Sequence, residues 1–172
     1  MLDLDEKTDQ AALAIARAAF QAARTGDAAG LGALLDRGLP PDVRNDKGDS
    51  LLMLASYHGH AAAAQLLLER GADPELANDR GQTPLAGVAF KGDVTLARLL
   101  LEHGAAPDGA GPDGRTALMF AAMFDRLEVV ELLLHYGACI TRTEAGGATA
   151  LTLARGMGAA RTSARLGSLE ND

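Results

Sequence analysis

The 172-residue chain is poor in several residue types that mark particular classes of protein. It has one cysteine and no tryptophan. Cys139 therefore has no partner for an internal disulfide, and nothing in the sequence asks for an oxidising compartment. No stretch approaches the ~18 apolar residues of a membrane span. The opening MLDLDEKTDQ lacks the basic start and apolar core of a signal peptide, so a cytoplasmic protein with no membrane contact is expected. Cations are also scarce: 16 Lys and Arg stand against 23 Asp and Glu, a net charge of −7. Phosphate binding depends on clustered cations that release counterions, so nucleic acid is not an expected partner.

Assembled catalytic motifs are missing too. Serine, histidine and aspartate all occur, but no GxSxG elbow does. His58 and His60 are two apart and diverge on a helix, while His103 and His135 fall in separate stretches. Zinc needs three or four convergent ligands, commonly cysteine pairs or an i, i+4 spacing, so neither metal nor cofactor is expected. The run Gly109-Ala110-Gly111-Pro112-Asp113-Gly114 is formally GxGxxG. A dinucleotide fingerprint needs a strand before it and a helix opening within it, whereas this run follows a leucine-rich helix and coincides with a turn. A small-ligand or enzymatic site built on Gly109–Gly114 is the weaker alternative.

What the chain has in quantity is repetition. Gly38, Gly71, Gly104 and Gly137 are 33 residues apart, and so are Gly48, Gly81, Gly114 and Gly147. The segment from Asn78 to Ala110 shows the unit most fully. Thr83-Pro84 is a helix start, with a hydroxyl to accept a first-turn N–H and a proline whose fixed φ suits that turn. Asp93 starts a second helix carrying Leu96, Leu99, Leu100 and Leu101, and Gly104 closes it. Two short helices cannot bury so much leucine alone, so neighbouring copies must shelter one another.

A 33-residue period with a Thr-Pro-Leu helix start resembles the ankyrin repeat, a β-turn plus two helices. The resemblance covers nearly the whole chain. It implies an all-α solenoid of helix-turn-helix units joined by hairpin-like turns, with about three full repeats between terminal capping repeats. One domain over residues 1–172 is expected, with units at about 9–44, 45–77, 78–110, 111–143 and 144–167 and short tails at 1–8 and 168–172. In detail, Asp9 is read as the N-cap of a helix over about 10–24 with Leu13, Ala16 and Phe20 on one side, and a second helix begins near Asp27. Ser50, Thr116 and Thr149 keep the hydroxyl cap of Thr83 in the other units. Asp125 stands where Gly26, Gly59 and Gly92 stand elsewhere, and the last helix, about 159–166, exchanges leucines for Arg161 and Arg165. The core is a ladder of Leu52, Leu85, Leu118 and Leu151 at one phase and Leu34, Leu67, Leu100 and Leu133 at another. The family's usual histidine after Thr-Pro-Leu is replaced by Met53, Ala86, Met119 and Thr152, which weakens the ties between turns rather than the fold.

Asp46, Asp79 and Asp113 are expected to organise the inter-repeat turns by bonding their own backbone. The six aromatic residues are Phe20, Tyr57, Phe90, Phe120, Phe124 and Tyr136, and several sit at one place in the unit. Tyr57 with His58, Phe90 with Lys91, and Met123 with Phe124 occupy the same two phases at the ends of first helices. The resemblance implies that these phases and the turn tips face the concave groove that meets a partner. The tips are Asp46, Lys47 and Asp49, then Asp79, Arg80 and Gln82, then Pro112, Asp113 and Arg115. The expectation is a non-catalytic, monomeric module that binds another protein through Asp46, Lys47, Asp49, Tyr57, His58, Asp79, Arg80, Gln82, Phe90, Lys91, Asp113, Arg115, Met123 and Phe124. An alternative is a regulator that inhibits or stabilises one enzyme by direct binding.

Overall fold

The computed structural model describes the backbone of residues 4–170 and the side chains of residues 10–170. Ten α-helices are described, arranged as pairs, and the chain divides into two compact units, Met1–Asp73 and Pro74–Asp172. Among the described residues there is no named strand; isolated antiparallel bridges, Arg44 to Ser50, Ala110 to Thr116 and Thr143 to Thr149, pinch three of the turns.

In the first unit, α1 (Leu4–Thr25) pairs with α2 (Ala28–Asp36), and α3 (Leu51–Tyr57) pairs with α4 (Ala61–Glu69). Asp9 is not a cap. The helix runs through it from Leu4, because Leu4, Glu6, Lys7 and Gln10 favour helix and no glycine or proline breaks the stretch before Ala11. Of the tail expected over residues 1–8, residues 4–8 thus belong to α1 and residues 1–3 lie outside the described residues. At about 1.5 Å per residue α1 is more than twice the length of α2. Among its described side chains Ala19, Phe20, Ala22 and Ala23 are buried, while Leu13 is 57% exposed and so leaves the apolar side it was expected to share with Phe20.

Leu34 also departs from expectation. Leu31, Leu52 and Leu67 are fully buried, but Leu34 is only half-buried. It lines a hollow of about 250 Å³ with Ala12, Ile15, Arg37, Gly38, Leu39 and Pro40. In α4, Ala63 and Ala64 of the four-alanine run are wholly buried, while Ala62 is exposed.

The second unit contains α5 (Pro84–Lys91), α6 (Val94–Glu102), α7 (Ala117–Met123), α8 (Leu127–His135), α9 (Ala150–Gly156) and α10 (Ala160–Leu169). First helices pack on first helices, α5 on α7 and α7 on α9, while α6 packs on α8. Leu85, Leu100, Leu118, Leu133 and Leu151 are all buried along this stack. The hydroxyl caps form as the spacing required: Ser50, Thr83, Thr116 and Thr149 each accept from the backbone N–H three residues on. Asp27 and Asp93 cap α2 and α6 in the same way, at 2.9 and 3.0 Å.

The C-terminal helix α10 is three residues longer than its expected end, and it takes up residues 168–169 of the expected tail; residues 171–172 lie outside the described residues. Its own N-cap position is Ala159, which has no side chain able to accept. The acceptor comes from the preceding repeat. Asp125, in the left-handed region at φ 55, receives the Thr162 N–H at 2.9 Å, and the wholly buried Thr162 hydroxyl donates to Ala122 O at 2.8 Å. The Thr162 N–H, followed by its hydroxyl and the Arg161 N–H, holds the Asp125 carboxyl below the usual carboxylate range. Arg165, at the phase of Leu66, Leu99 and Leu132, and Arg161, at the phase of Glu128, ion-pair with Glu131 and Glu128 on α8.

A second set of ties was not anticipated. Asp42, Glu75 and Asp108 are 33 residues apart, and each accepts the backbone N–H found 31 residues further on, at Asp73, Ala106 and Cys139, at 2.9 to 3.0 Å. Each carboxylate staples the loop after one second helix to the same loop of the next repeat.

Candidate functional site

The candidate surface has two parts, the turn tips and the loops that follow the first helices. Within the first unit the tip spans Asn45 to Ser50. Asn45, not Asp46, organises it: its Oδ1 accepts the N–H groups of Lys47 and Asp49, both at 2.9 Å. Asp46 and Lys47 are exposed, but Asp49 is buried and receives Asn45 Nδ2 at 3.3 Å. In the second unit Asn78, not Asp79, does the same for Arg80 and Gln82, at 3.1 and 3.0 Å. An asparagine one residue earlier has the reach to close the whole turn, which leaves Asp79 and Arg80 on the outside and Gln82 half-buried.

The next turn lacks that asparagine. Gly111 occupies its phase, and there Asp113 takes over, accepting the Arg115 N–H at 3.1 Å as the aspartate rule had it. Arg115 Nε lies 3.8 Å from Asp113 Oδ2. Gly111 is required for another reason: a Cβ on it would stand 2.0 Å from the carbonyl oxygen of Gly81. The formal GxGxxG is thus an inter-repeat turn, closed by Gly114 N–H to Gly111 O, and α7 opens only at Ala117, beyond it.

At the helix ends of the first unit, Tyr57 is 37% exposed, with its ring edge against His58 at 5.7 Å. His60 does not join a ligand cluster; its Nε2 hydrogen-bonds to Arg24 O at 2.8 Å. In the second unit, Phe90 and Phe124 meet edge to face with centroids 4.5 Å apart, both half-buried, as is Met123. Arg126 Nε donates to Phe90 O at 3.1 Å, and Lys91 is exposed. One repeat beyond Phe124 stands Met157, 55% exposed, which the sequence reading passed over although its position in the period marks it.

Comparison with known proteins agrees with this architecture. Residues 52–144 and 91–160 match the family model for ankyrin repeats (3 copies), together more than half of the chain. The chain belongs to the ankyrin repeat family. A Pseudomonas aeruginosa protein named as an ankyrin repeat protein is 65% identical over 40 residues, which make up 23% of this chain. The match spans 23% of that relative's length.

Ankyrin repeats are typically protein–protein interaction modules and usually non-catalytic. Among the described residues, no three His, Cys, Asp or Glu are gathered so as to hold a metal ion. No described helix is long and apolar enough to cross a membrane. Cys139 is exposed, with Sγ 3.3 Å from Thr141 Oγ1; that hydroxyl lowers the thiol below its ordinary range.

Proposed function

We propose that this ankyrin chain is a non-catalytic adaptor that holds a partner protein against the tips of its turns and the ends of its first helices. The residues proposed for the contact are Asp46, Lys47, Tyr57 and His58 in the first unit and Asp79, Arg80, Gln82, Phe90, Lys91, Asp113, Arg115, Met123 and Phe124 in the second. Asp49 stays in the proposal as a support for its turn, since it is buried. One observation carries the reading. Of the large hydrophobic side chains exposed among the described residues, Leu13, Tyr57 and Met157, two fall at the helix-end phases, in a chain that buries its ladder leucines almost completely. Apolar side chains left in water beside charged ones are how binding surfaces concentrate their energy.

The experiment is a photo-crosslinking capture, with a reactive residue replacing Lys91 or His58, compared with the same residue placed at Arg98 on the outer face of α6. Capture of one protein from both helix-end positions and not from Arg98, lost on Tyr57→Ala with Phe124→Ala, is the expected result. Equal capture from Arg98 would refute the assignment of the surface.

A further inference from the structure

The charge carried by the helix-end strip differs from that of the chain, and it specifies the chemistry of the ligand. In the second unit the loops after the first helices hold four charged residues, Lys91, Asp93, Asp125 and Arg126. The two acids are committed inward. Asp93 accepts the Leu96 N–H at 3.0 Å, and Asp125 accepts the Thr162 N–H at 2.9 Å and the Thr162 hydroxyl at 3.2 Å. Each carboxylate therefore faces the positive end of a second helix, where the helix dipole offsets its charge.

The two cations are exposed. Arg126 spends one of the five guanidinium N–H donors on Phe90 O, which fixes the group beside the Phe90–Phe124 pair instead of drawing it away from the surface. The apolar part of the strip is Phe90, Met123, Phe124 and, one repeat on, the exposed Met157. A chain with seven excess negative charges thus shows cations beside apolar side chains along this strip.

Resting on the proposed function, we infer that the strip of the second unit receives an acidic, apolar peptide segment in which carboxylates alternate with large hydrophobic side chains. The hydrophobic side chains lie on Phe124 and Met157, and the carboxylates meet Arg126 and Lys91. A carboxylate facing Arg126 can pair with more than one of its donors, and the half-buried aromatic pair beside it lowers the local exposure to water that screens such a pair.

The test uses the full chain and three synthetic peptides with the same leucine and phenylalanine positions, the intervening residues being all Glu, all Ser or all Lys. Binding is followed by fluorescence anisotropy at low and high salt. The Glu peptide should bind about tenfold or more tighter than the Ser peptide, with the Lys peptide weakest and the gaps narrowing as salt screens the charges. Lys91→Glu, an exposed substitution, should weaken the Glu peptide and strengthen the Lys peptide, and Met157→Glu should weaken the Glu and Ser peptides. Melting curves for both variants should match the parent, which separates lost contact from lost fold. A Lys peptide that binds as well as the Glu peptide overturns the inference, as does a ranking unmoved by Lys91→Glu. If all three peptides bind and Met157→Glu weakens each, the surface stands and only its charge preference is wrong. If none binds, the inference is overturned, and the crosslinking comparison with Arg98 decides the proposed function separately.

Discussion

Gly111→Ala is the sharpest test of how the repeats meet at their turns. Gly111 does not need a left-handed backbone, so alanine brings no conformational penalty there, and the whole cost is steric. Its Cβ would lie 2.0 Å from Gly81 O and 2.6 Å from both Gly81 C and Gly81 Cα. These are backbone atoms, so no rotamer change can relieve the contact, and the two turns must part by about 1.4 Å to reach ordinary van der Waals distance. The turn is not free to retreat, because on its other side Asp113 O accepts the Ala145 N–H at 2.8 Å. Overpacking of this kind costs about 1–3 kcal/mol, and the upper half of that range is expected where both neighbours are backbone. For a chain of this size that is a fall in melting temperature of roughly 4–12 °C. Gly109→Ala is the matched control. Its Cβ would meet Glu75 Oε2 at 2.5 Å and, more loosely, Ala106 O at 3.2 Å; the worst clash is with the end of a side chain, which can shift at the expense of its bond to the Ala106 N–H, so about 1 kcal/mol is expected. Urea titrations followed by circular dichroism, with equal m values, give the comparison. A Gly111→Ala chain as stable as the Gly109→Ala chain would refute the account of the turn.

Four other outcomes follow from the same contacts. Leu100→Ala removes a fully buried side chain and should cost about 3–4 kcal/mol, against about 1 kcal/mol for the half-buried Leu34→Ala, so the opposite order in urea melts would contradict the burial pattern. At Asp125, asparagine should be mildest and alanine worst, because alanine loses the acceptor for Thr162 while remaining at φ 55, whereas glycine loses only the acceptor; amide exchange across Ala160–Leu169 reports it, and glycine falling below alanine would be a refutation. The carboxyls of Asp125, held down first by the Thr162 N–H, Glu128, by Arg161, and Glu144, by the Gly146 N–H, all sit below their ordinary values. The unfolded chain therefore binds protons more readily, so their stabilisation is complete above the ordinary carboxylate range and is lost as pH falls through the lowered values; melting temperature should drop below about pH 4, and less so with Asp125→Asn and Glu128→Gln together. Finally, Tyr57→Ala should leave melting nearly unchanged, while Phe124→Ala should lower stability by about 1 kcal/mol through the lost edge-to-face contact with Phe90.

The helix starts, the closing glycines and most of the leucine ladder were legible because each depends on chemistry within a few residues. Thr83 caps α5 by reaching only to Ala86, and that contact is the same in any surroundings. Other features depend on what lies nearby in space. Leu34 shares its phase with Leu67 and Leu100, yet only its surroundings leave it on an open hollow. Asp9 has the chemistry of a cap, but with Leu4, Glu6 and Lys7 before it and no glycine or proline to stop it, α1 extends past that point. The staples from Asp42, Glu75 and Asp108 were visible as a 33-residue series of carboxylates, but their targets are backbone N–H groups that the sequence does not distinguish. In the candidate surface the phase of the aromatic residues was readable, and so was that of Met157. Their exposure was not, because it depends on neighbours in space: Phe124 is partly covered by Phe90, while Tyr57, with its edge against His58, stays 37% exposed.

The repeats depart from their own pattern in a consistent way, and the departures bear on how they are coupled. Where Gly111 replaces the turn asparagine, Asp113 supplies an acceptor within the same turn, and the lost side chain admits the carbonyl of Gly81. Where Ala159 replaces a capping aspartate, Asp125 replaces a loop glycine one repeat earlier and caps α10 from outside. His60 and Arg126 also stand at second-helix N-cap positions without capping, and each instead hydrogen-bonds back to a carbonyl of the preceding repeat, Arg24 O or Phe90 O. At three of the five second-helix starts, then, a bond local to one repeat has been exchanged for a bond between repeats. A local cap stabilises its helix whether or not the neighbour is folded, whereas these bonds stabilise a helix only when the neighbour is in place. Stability thereby moves from the single repeat to the interface between repeats, the quantity that sets cooperativity in a linear array. The loops that carry these bonds are also those that carry Phe90, Phe124 and Met157. A ligand seated on that strip would bear on the same interfaces, so binding there should raise the protection of α10, whose cap comes from Asp125, next to Phe124 in the chain.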